Sequence, residues 1–318
     1  MRILLMLVST LFLMNLAHAE YPERPIRLIV SYPPGGGTDV TARQIAPMLS
    51  DRLGKQIVID NRSGAGSTLG TNLVAKAAPD GYTLLLSDTT FGIVPGLYPK
   101  LPYDAQRDFA PVTQITSVPV AMVVHPSVAA KSVKELVALA KAKPGALNFG
   151  SGGVGTPVHL AGELLMVQAQ IKMVHIPYKG AGPAFGDLLG GQFQVMFPTL
   201  QSVVPHVKSN RVRLLAMTTE KRSPAFPDVP TVVESGIPGV IAVAWCGIQA
   251  PAGTPKAIIA RLHEESVRVV REPSIRDRFI SDGADPVGST PDEFRKFIGN
   301  EIDKWTKVVR AAGIKAEF

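Results

Sequence analysis

The stretch Ile26-Arg-Leu-Ile-Val-Ser-Tyr-Pro-Pro-Gly-Gly-Gly-Thr-Asp39 joins a predicted strand to a predicted helix through three consecutive glycines. The apolar run Ile26–Val30 is typical of a buried strand, and residues 40–49 have helical apolar spacing. Glycine leaves its backbone N–H uncovered, and a strand that feeds a helix N-terminus through such a loop directs several N–H groups at one point. The stretch therefore predicts an anion site, and a nucleotide phosphate, a reaction intermediate and a bound carboxylate all remain open.

The order of strand and helix continues along the chain. Further strands are predicted at 56–60 and 82–87, with helices at about 39–52 and 69–77. A βαβαβ order implies a parallel sheet with right-handed crossovers. Ligands of such sheets bind beyond the carboxyl ends of the strands, where the glycine loop and Ser87-Asp-Thr89 lie.

A second set of strands and helices follows and is then flanked by two long C-terminal helices. Its strands are predicted at 119–124, 146–150, 172–178, 193–197 and 213–219. Because the first set and the C-terminal helices enclose a complete second set, we expect two lobes and two crossings between them. Residues 20–118 with 249–318 would form one lobe, and residues 119–248, including both hinge segments, the other.

Composition and charge narrow the class of protein. The chain has 318 residues, 46% hydrophobic and 19% charged, enough for two cores of about 100 to 200 residues each. The net charge is +7, and the lysines and arginines are scattered along the chain. They do not form a basic stripe interleaved with aromatic residues. A nucleic-acid-binding protein is therefore not expected.

The N-terminus has the features of a secretory signal. Arg2 precedes the apolar run 3–16, and Ala17-His-Ala19 is a small-residue cleavage site. The run is shorter than the roughly 20 residues that a membrane span needs. The single cysteine, Cys246, excludes an internal disulfide framework. We expect residues 1–19 to be a signal peptide cleaved after Ala19, and the mature protein to reside in the periplasm.

The segment Gly150-Ser-Gly-Gly-Val-Gly155 has the spacing of a dinucleotide-binding loop. A Rossmann unit needs an acidic residue about 20 positions later, and the predicted strand 172–178 ends without one. A hydrolase elbow around Ser151 would need glycine at position 149, where Phe149 stands. We therefore expect neither a nucleotide cofactor nor a catalytic serine, but a second anion loop that opens a helix at 157.

Several side chains near these loops could have either of two roles. Asp39 could receive a substrate amine or cap the first helix. Tyr32 could close over a ligand or pack under the loop, and Lys179 could pair with a ligand charge or be solvated. The histidines lie far apart in the sequence with no i, i+4 pair that would suggest a metal site, so we expect His159 to form local hydrogen bonds. Cys246 reads as an inert small hydrophobe.

Taken together, the motifs resemble one family along the whole chain. They are Tyr32-Pro-Pro-Gly-Gly-Gly-Thr-Asp39, Asp60-Asn-Arg-Ser-Gly-Ala-Gly66, Ala78-Pro-Asp-Gly-Tyr-Thr-Leu84, Leu101-Pro-Tyr-Asp104, Gly150-Ser-Gly-Gly-Val-Gly-Thr156, Pro177-Tyr-Lys-Gly180, Pro227-Asp-Val-Pro-Thr231 and Ala250-Pro-Ala-Gly-Thr-Pro255. In this order they resemble the Bug family, also called TctC, the periplasmic solute-binding proteins of tripartite tricarboxylate transporters.

The resemblance implies an α/β type II periplasmic-binding-protein fold with a ligand cleft between two lobes. In that family, backbone N–H groups and ordered water hold carboxylates. Carried onto this chain, the implied contacts of the first lobe are Tyr32, Gly36, Gly37, Thr38, Asp39, Ser87, Asp88 and Thr89. Those of the second lobe are Ser151, Gly155, Thr156, Tyr178 and Gly180. The chain departs from its relatives at Cys246, where an aromatic residue is common, and at Phe197-Pro198-Thr199, which varies with the ligand.

The expected function is capture of a small carboxylate: a di- or tricarboxylate, an aromatic acid or an amino acid. The resemblance implies membrane permease subunits as partners, or a sensor kinase instead. We expect a monomer with no cofactor, no metal and no catalytic residues. The alternative is a secreted hydrolase or transferase that uses the glycine-rich loops as an oxyanion site. Such an enzyme should bring together a nucleophile, a base and an orienting group, and no such spacing is visible.

Overall fold

The chain forms two mixed β-sheets with helices packed on them. The computed structural model describes residues 21–178 and 180–314; the predicted signal peptide and Lys179 lie outside these residues. The strands are β1 (Ile26–Val30), β2 (Ile57–Asn61), β3 (Thr83–Asp88), β4 (Phe109–Pro119), β5 (Ala121–Val124), β6 (Asn148–Ser151), β7 (Val174–Pro177), β8 (Val195–Met196), β9 (Arg213–Met217), β10 (Val243–Pro251) and β11 (Asp285–Pro286).

Each helix except α9 follows a strand, in most cases through a loop of several residues. They are α1 (Gly37–Leu53), α2 (Thr68–Ala75), α3 (Thr89–Leu97), α4 (Val133–Ala142), α5 (Pro157–Ala169), α6 (Ala181–Leu189), α7 (Leu200–Lys208), α8 (Lys256–Arg271), α9 (Pro273–Ser281) and α10 (Pro291–Ala311). Among residues 21–178 and 180–314, no helix has both the length and the apolar character that crossing a bilayer requires.

The first sheet has the order β11-β4-β10-β3-β1-β2. Its β1, β2 and β3 are parallel, which confirms the predicted βαβαβ arrangement. β10 runs antiparallel between β3 and β4. The predicted boundary at residue 248 assigns residues 243–248 to the middle lobe, whereas these residues pair within the first sheet.

The second sheet has the order β7-β6-β8-β5-β9. β6 is parallel to β7 and β8, and β5 is antiparallel to β8 and β9. Two mixed sheets with helices on their faces make the α/β two-lobed architecture that the resemblance implies.

The chain passes between the sheets at two neighbouring places. The first lies at Val120, between β4 and β5, and the second lies at Ala242, just before β10. Thr218 joins them, because its Oγ1 lies 3.0 Å from the carbonyl oxygen of Val120 and 2.6 Å from that of Ala242. The two passages are therefore held side by side.

Helix α10 contacts both halves of the molecule. The Glu301 side chain of α10 accepts hydrogen bonds from two indole N–H groups. One belongs to Trp245 in the first sheet and the other to Trp305. Trp305 packs into the core of the second sheet, together with Ile93 of α3. The C-terminal part of the chain thus lies against the second sheet as well as the first.

Candidate functional site

A cleft of about 860 Å³ lies between the two sheets. Its walls are formed mainly by loops that leave the strands and by the first residues of the helices that follow. The residues that line it are Tyr32, Pro33, Pro34, Gly35, Gly36, Gly37, Thr38, Val40, Thr41, Gln44, Asp88, Thr89, Thr90, Val118, Gly152, Thr156, Pro157, Val158, Gly180, Ala181, Thr199, Gln201, Ala244, Trp245, Cys246, Phe279, Asp282 and Ala284.

Five helices present their N-terminal ends to this cleft: α1, α3, α5, α6 and α7. Asp88 and Thr156 cap α3 and α5 with their side chains. The other three helices, α1, α6 and α7, have the N-cap residues Gly36, Gly180 and Thr199, and none of these caps its helix with a side-chain hydrogen bond. Uncapped helix starts leave N–H donors and a partial positive charge free for a ligand.

The start of α1 is shaped by its glycines and by Asp39. Gly35 has a left-handed φ of +88°, and its N–H donates to Asp39 Oδ2 at 2.9 Å. Asp39 also accepts from Arg43 and Asn61 at 2.8 and 2.9 Å. The hydrogen bond from Arg43 lowers the pKa of Asp39 to about 2. Asp39 is buried and does not line the cleft, so it fixes the loop from behind.

Asp88 faces the cleft but is occupied by neighbouring donors. Its carboxylate accepts from Tyr32 Oη at 3.1 Å, Thr38 Oγ1 at 3.0 Å and the Thr90 N–H at 3.0 Å. Burial raises the pKa of Asp88, and these hydrogen bonds oppose the shift. Ser87 instead points inward, where its hydroxyl donates to the Gly247 carbonyl at 2.9 Å.

In the second loop, Thr156 and Gly180 line the cleft, together with Gly152. The Gly180 N–H donates to the Gly152 carbonyl at 3.0 Å, which joins the loops before α5 and α6. Tyr178 does not reach the cleft: its hydroxyl donates to Asp187 at 2.7 Å, and burial raises its pKa to about 12.

Ser151 and Gly155 support this loop from within. Ser151 is fully buried, and its Oγ lies 2.6 Å from His175 Nε2. The Gly155 N–H donates to His159 Nδ1 at 3.0 Å, so the neutral ring carries its proton on Nε2, 3.2 Å from Glu163. The two imidazoles stack with ring centroids 3.7 Å apart. Burial lowers the pKa of His175 to about 4.

The structure therefore divides the expected contacts into two groups. Those that line the cleft are Tyr32, Gly36, Gly37, Thr38, Asp88, Thr89, Thr156 and Gly180. Those that do not are Asp39, Ser87, Ser151, Gly155 and Tyr178. The residues of the second group point into the protein because each has a hydrogen-bond partner there. The partner binds the side chain in every case except Gly155, where it binds the backbone N–H.

Other lining residues were missed by sequence reasoning. Val40, Thr41 and Gln44 share one face of α1, and helical spacing from Gly37 could have found them. Phe279, Asp282 and Ala284 belong to the C-terminal part of the chain, and no local sequence pattern indicates that they line the cleft.

The charge of the lining is unusual for an anion site. Among the described residues, the lining contains no lysine, arginine or histidine, and its ionisable carboxylates are Asp88 and Asp282. Within the same residues, no group of three His, Cys, Asp or Glu side chains is placed to hold a metal ion. Backbone N–H groups and hydroxyls are therefore the groups of this lining that can attract an anion.

Comparison with known proteins identifies the family. The family model "Tripartite tricarboxylate transporter family receptor", TctC, matches residues 41–314. Protein BugT of Bordetella pertussis (strain Tohama I) is 41% identical over 297 residues, covering 93% of this chain and 91% of BugT.

Solved structures agree with this assignment. An R. palustris protein with adipate is 34% identical and has a TM-score of 0.80, with 93% of this chain and 99% of that chain covered. MatC from Rhodopseudomonas palustris with bound malate is 33% identical with a TM-score of 0.77, and 91% and 100% are covered. This chain therefore belongs to the TctC, or Bug, family of periplasmic solute-binding receptors, which are not enzymes.

Proposed function

We propose that this protein captures a small carboxylate in the cleft between its sheets and delivers it to the membrane subunits of a tripartite tricarboxylate-type transporter. The observation that carries the proposal is the convergence of uncapped helix N-termini from both sides on a cleft whose described lining has no basic side chain. The adipate and malate in the two relatives support a carboxylate as ligand.

The cleft would hold the carboxylate with backbone donors. Each charge-assisted hydrogen bond contributes on the order of 1.5 to 3 kcal/mol, and a helix N-terminus adds roughly half a positive charge. Three or four such bonds, set against the ordering costs, give about −8 kcal/mol, a roughly micromolar Kd. The glycines of the first loop keep these donors uncovered, so the anion can be captured and released unchanged.

Loading would be signalled by closure of two lobes. The first lobe is built on the sheet that contains β1 and the second on the sheet that contains β6, with hinges at Val120 and Ala242. A ligand that touches the loops of both lobes favours the closed form, by no more than its differential affinity for closed over open. We also propose that residues 1–19 direct export and are removed after Ala19.

The proposal is tested by screening for ligands and then neutralising the best one. A thermal-shift screen of mono-, di- and tricarboxylates, aromatic acids, amino acids and nicotinate should give at least one hit, since ligand at 100 Kd adds about 2.7 kcal/mol of stability. Calorimetry should then show that the primary amide of that acid binds at least about tenfold more weakly. Equal affinity for the acid and its amide would refute carboxylate recognition.

A further inference from the structure

The cleft ends, along α1, in a pair of oxygen acceptors. Gln44 lies about two turns, or about 10 Å, beyond Gly37 on this helix. Its Nε2 donates to Asp282 Oδ2 at 2.7 Å, and both residues line the cleft. Among the described residues, none donates a hydrogen bond to Asp282 Oδ1 or Gln44 Oε1, and neither atom is sealed from solvent. This end of the cleft therefore offers free acceptors.

Asp282 lies at the C-terminal end of α9, where the helix dipole disfavours a negative charge. It is the C-cap residue of α9, and a helix C-terminus carries a partial negative charge. Within the described part of the chain, no lysine, arginine or histidine forms an ion pair with it. The carboxylate has one hydrogen-bond donor from the protein and no compensating cation, so a donor from a ligand would stabilise it.

Apolar side chains also line the cleft. Val40 lies beside Thr41 on α1 between Gly37 and Gln44, and Val118, Cys246, Phe279 and Ala284 are further apolar lining residues. A ligand that extends along α1 thus meets donors at its start, an apolar contact at Val40 and acceptors at Gln44 and Asp282. Asp88 does not disturb this order, because three protein donors already occupy its carboxylate.

We propose that the ligand carries a hydrogen-bond donor, an ammonium or a hydroxyl, at the end opposite its carboxylate, and that Asp282 and Gln44 select for it. The inference rests on the proposed function, which places the carboxylate at the helix N-termini. A second carboxylate would face Asp282, and like charges at close range oppose binding. This chain should therefore disfavour adipate, which has a carboxylate at each end.

The test compares probes of similar length that differ at one end. Calorimetry with adipate, ω-aminohexanoate, ω-hydroxyhexanoate and hexanoate should show at least one donor-bearing probe binding about tenfold or more tightly than both adipate and hexanoate. Tighter binding of the amino acid identifies an ammonium as the preferred group, and tighter binding of the hydroxy acid identifies a neutral donor. Adipate or hexanoate binding as tightly as both donor-bearing probes would overturn the inference.

Two matched variants assign the effect to Asp282. Asp282→Asn keeps the shape but removes the charge, and it should bring adipate and the donor-bearing probes to within about threefold of each other. Asp277→Asn is the control, because Asp277 lies on the same helix with a side chain 64% exposed, away from the cleft. An unchanged preference in Asp282→Asn would overturn the inference. Failure of all four probes would also overturn it, whereas binding of another carboxylate in the screen would leave the proposed function standing.

Discussion

Gly155 packs directly against Leu97, so closely that a β-carbon at position 155 would lie 2.6 Å from Leu97 Cδ1. Leu97 ends α3, which follows β3 of the first sheet, and Gly155 precedes α5 beside the second sheet. Gly155 also has a left-handed φ of +76°. The family resemblance implies a ligand contact at Gly155, and in the structure this residue forms a contact between the two halves of the molecule.

Gly155→Ala should lower the free energy of unfolding by about 2 to 4 kcal/mol, from backbone strain and from overpacking against Leu97. Adding Leu97→Ala removes the steric conflict but not the strain. Urea denaturation should therefore show the double variant about 1 kcal/mol more stable than the sum of the two single effects predicts. Simple additivity would mean that the two residues do not press on each other.

Ser151→Ala separates a supporting role from a ligand contact. Loss of the hydroxyl leaves His175 Nε2 and the Gly153 N–H without their partner, so the free energy of unfolding should fall by about 1 to 3 kcal/mol. Affinity for the best carboxylate should stay within about threefold, because Ser151 is fully buried. A large loss of affinity at unchanged stability would restore Ser151 as a ligand contact.

Asp39 should make stability depend on acid pH. Its folded pKa of about 2, set chiefly by the hydrogen bond from Arg43, lies below the unfolded value of about 3.9. The ionised group thus contributes stability above pH 4, and this contribution is lost as the pH falls from about 4 to 2. The difference in unfolding free energy between wild type and Asp39→Asn should shrink over that range. A constant difference would contradict the assignment.

Gly283, which follows α9 on the side of the first sheet, lies close to Gln201 of α7 on the side of the second sheet. A β-carbon on Gly283 would lie 3.3 Å from Gln201 Cα, and the residue has a φ of +76°. Gly283→Asn should therefore wedge the lobes apart, since asparagine tolerates the left-handed conformation but adds bulk. We expect a larger radius of gyration in small-angle scattering with ligand present, and an affinity about tenfold weaker.

Gly54→Asn is the matched control for this wedge. Gly54 has a φ of +70°, and a β-carbon on this residue would meet open space, so it tests the same backbone change without a neighbour. The control should match wild type in radius and affinity. Equal behaviour of the two asparagine variants would show that Gly283 does not take part in closure.

Local sequence signals predicted the elements that depend on near neighbours. The glycine loop after β1 opens α1 at Gly37, and the second glycine-rich loop opens α5 at Pro157, as expected. Each of these features is determined by residues only a few positions apart, which is the range that a sequence pattern records.

Strand β4 was missed because its stability comes from distant parts of the chain. It contains Pro111 and buries polar side chains such as Thr113 and Thr116, which hides the alternation that marks a strand. Thr113 is satisfied by the Ser289 carbonyl at 2.7 Å, a partner far along the sequence.

Helix α3 was missed for a related reason. Gly92 and Gly96 lower its intrinsic helical preference, yet they let α10 come close: β-carbons there would lie 3.0 Å from Glu301 Cβ and 2.9 Å from Thr306 Cα. Tertiary packing outweighs propensity in this helix. The site shows the same limit, because its first loop could be predicted but Asp282 could not.

Binding of the carboxylate by backbone N–H groups at the start of α1 can be tested at Gly37. This residue is the first of α1, and a β-carbon there has open space. Proline is favourable at this helical position but lacks the N–H, and Gly36 before it has the extended conformation (φ −76°, ψ 164°) that proline requires. Gly37→Ala keeps the N–H and controls for the added bulk.

Isothermal titration calorimetry of the two variants with the best carboxylate from the screen makes the comparison. If the Gly37 N–H binds the carboxylate, Gly37→Pro should bind about 10- to 100-fold more weakly than Gly37→Ala, the equivalent of one charge-assisted hydrogen bond. Circular dichroism should show the same helical content in both. Equal affinities of Gly37→Pro and Gly37→Ala would show that the Gly37 N–H does not bind the carboxylate.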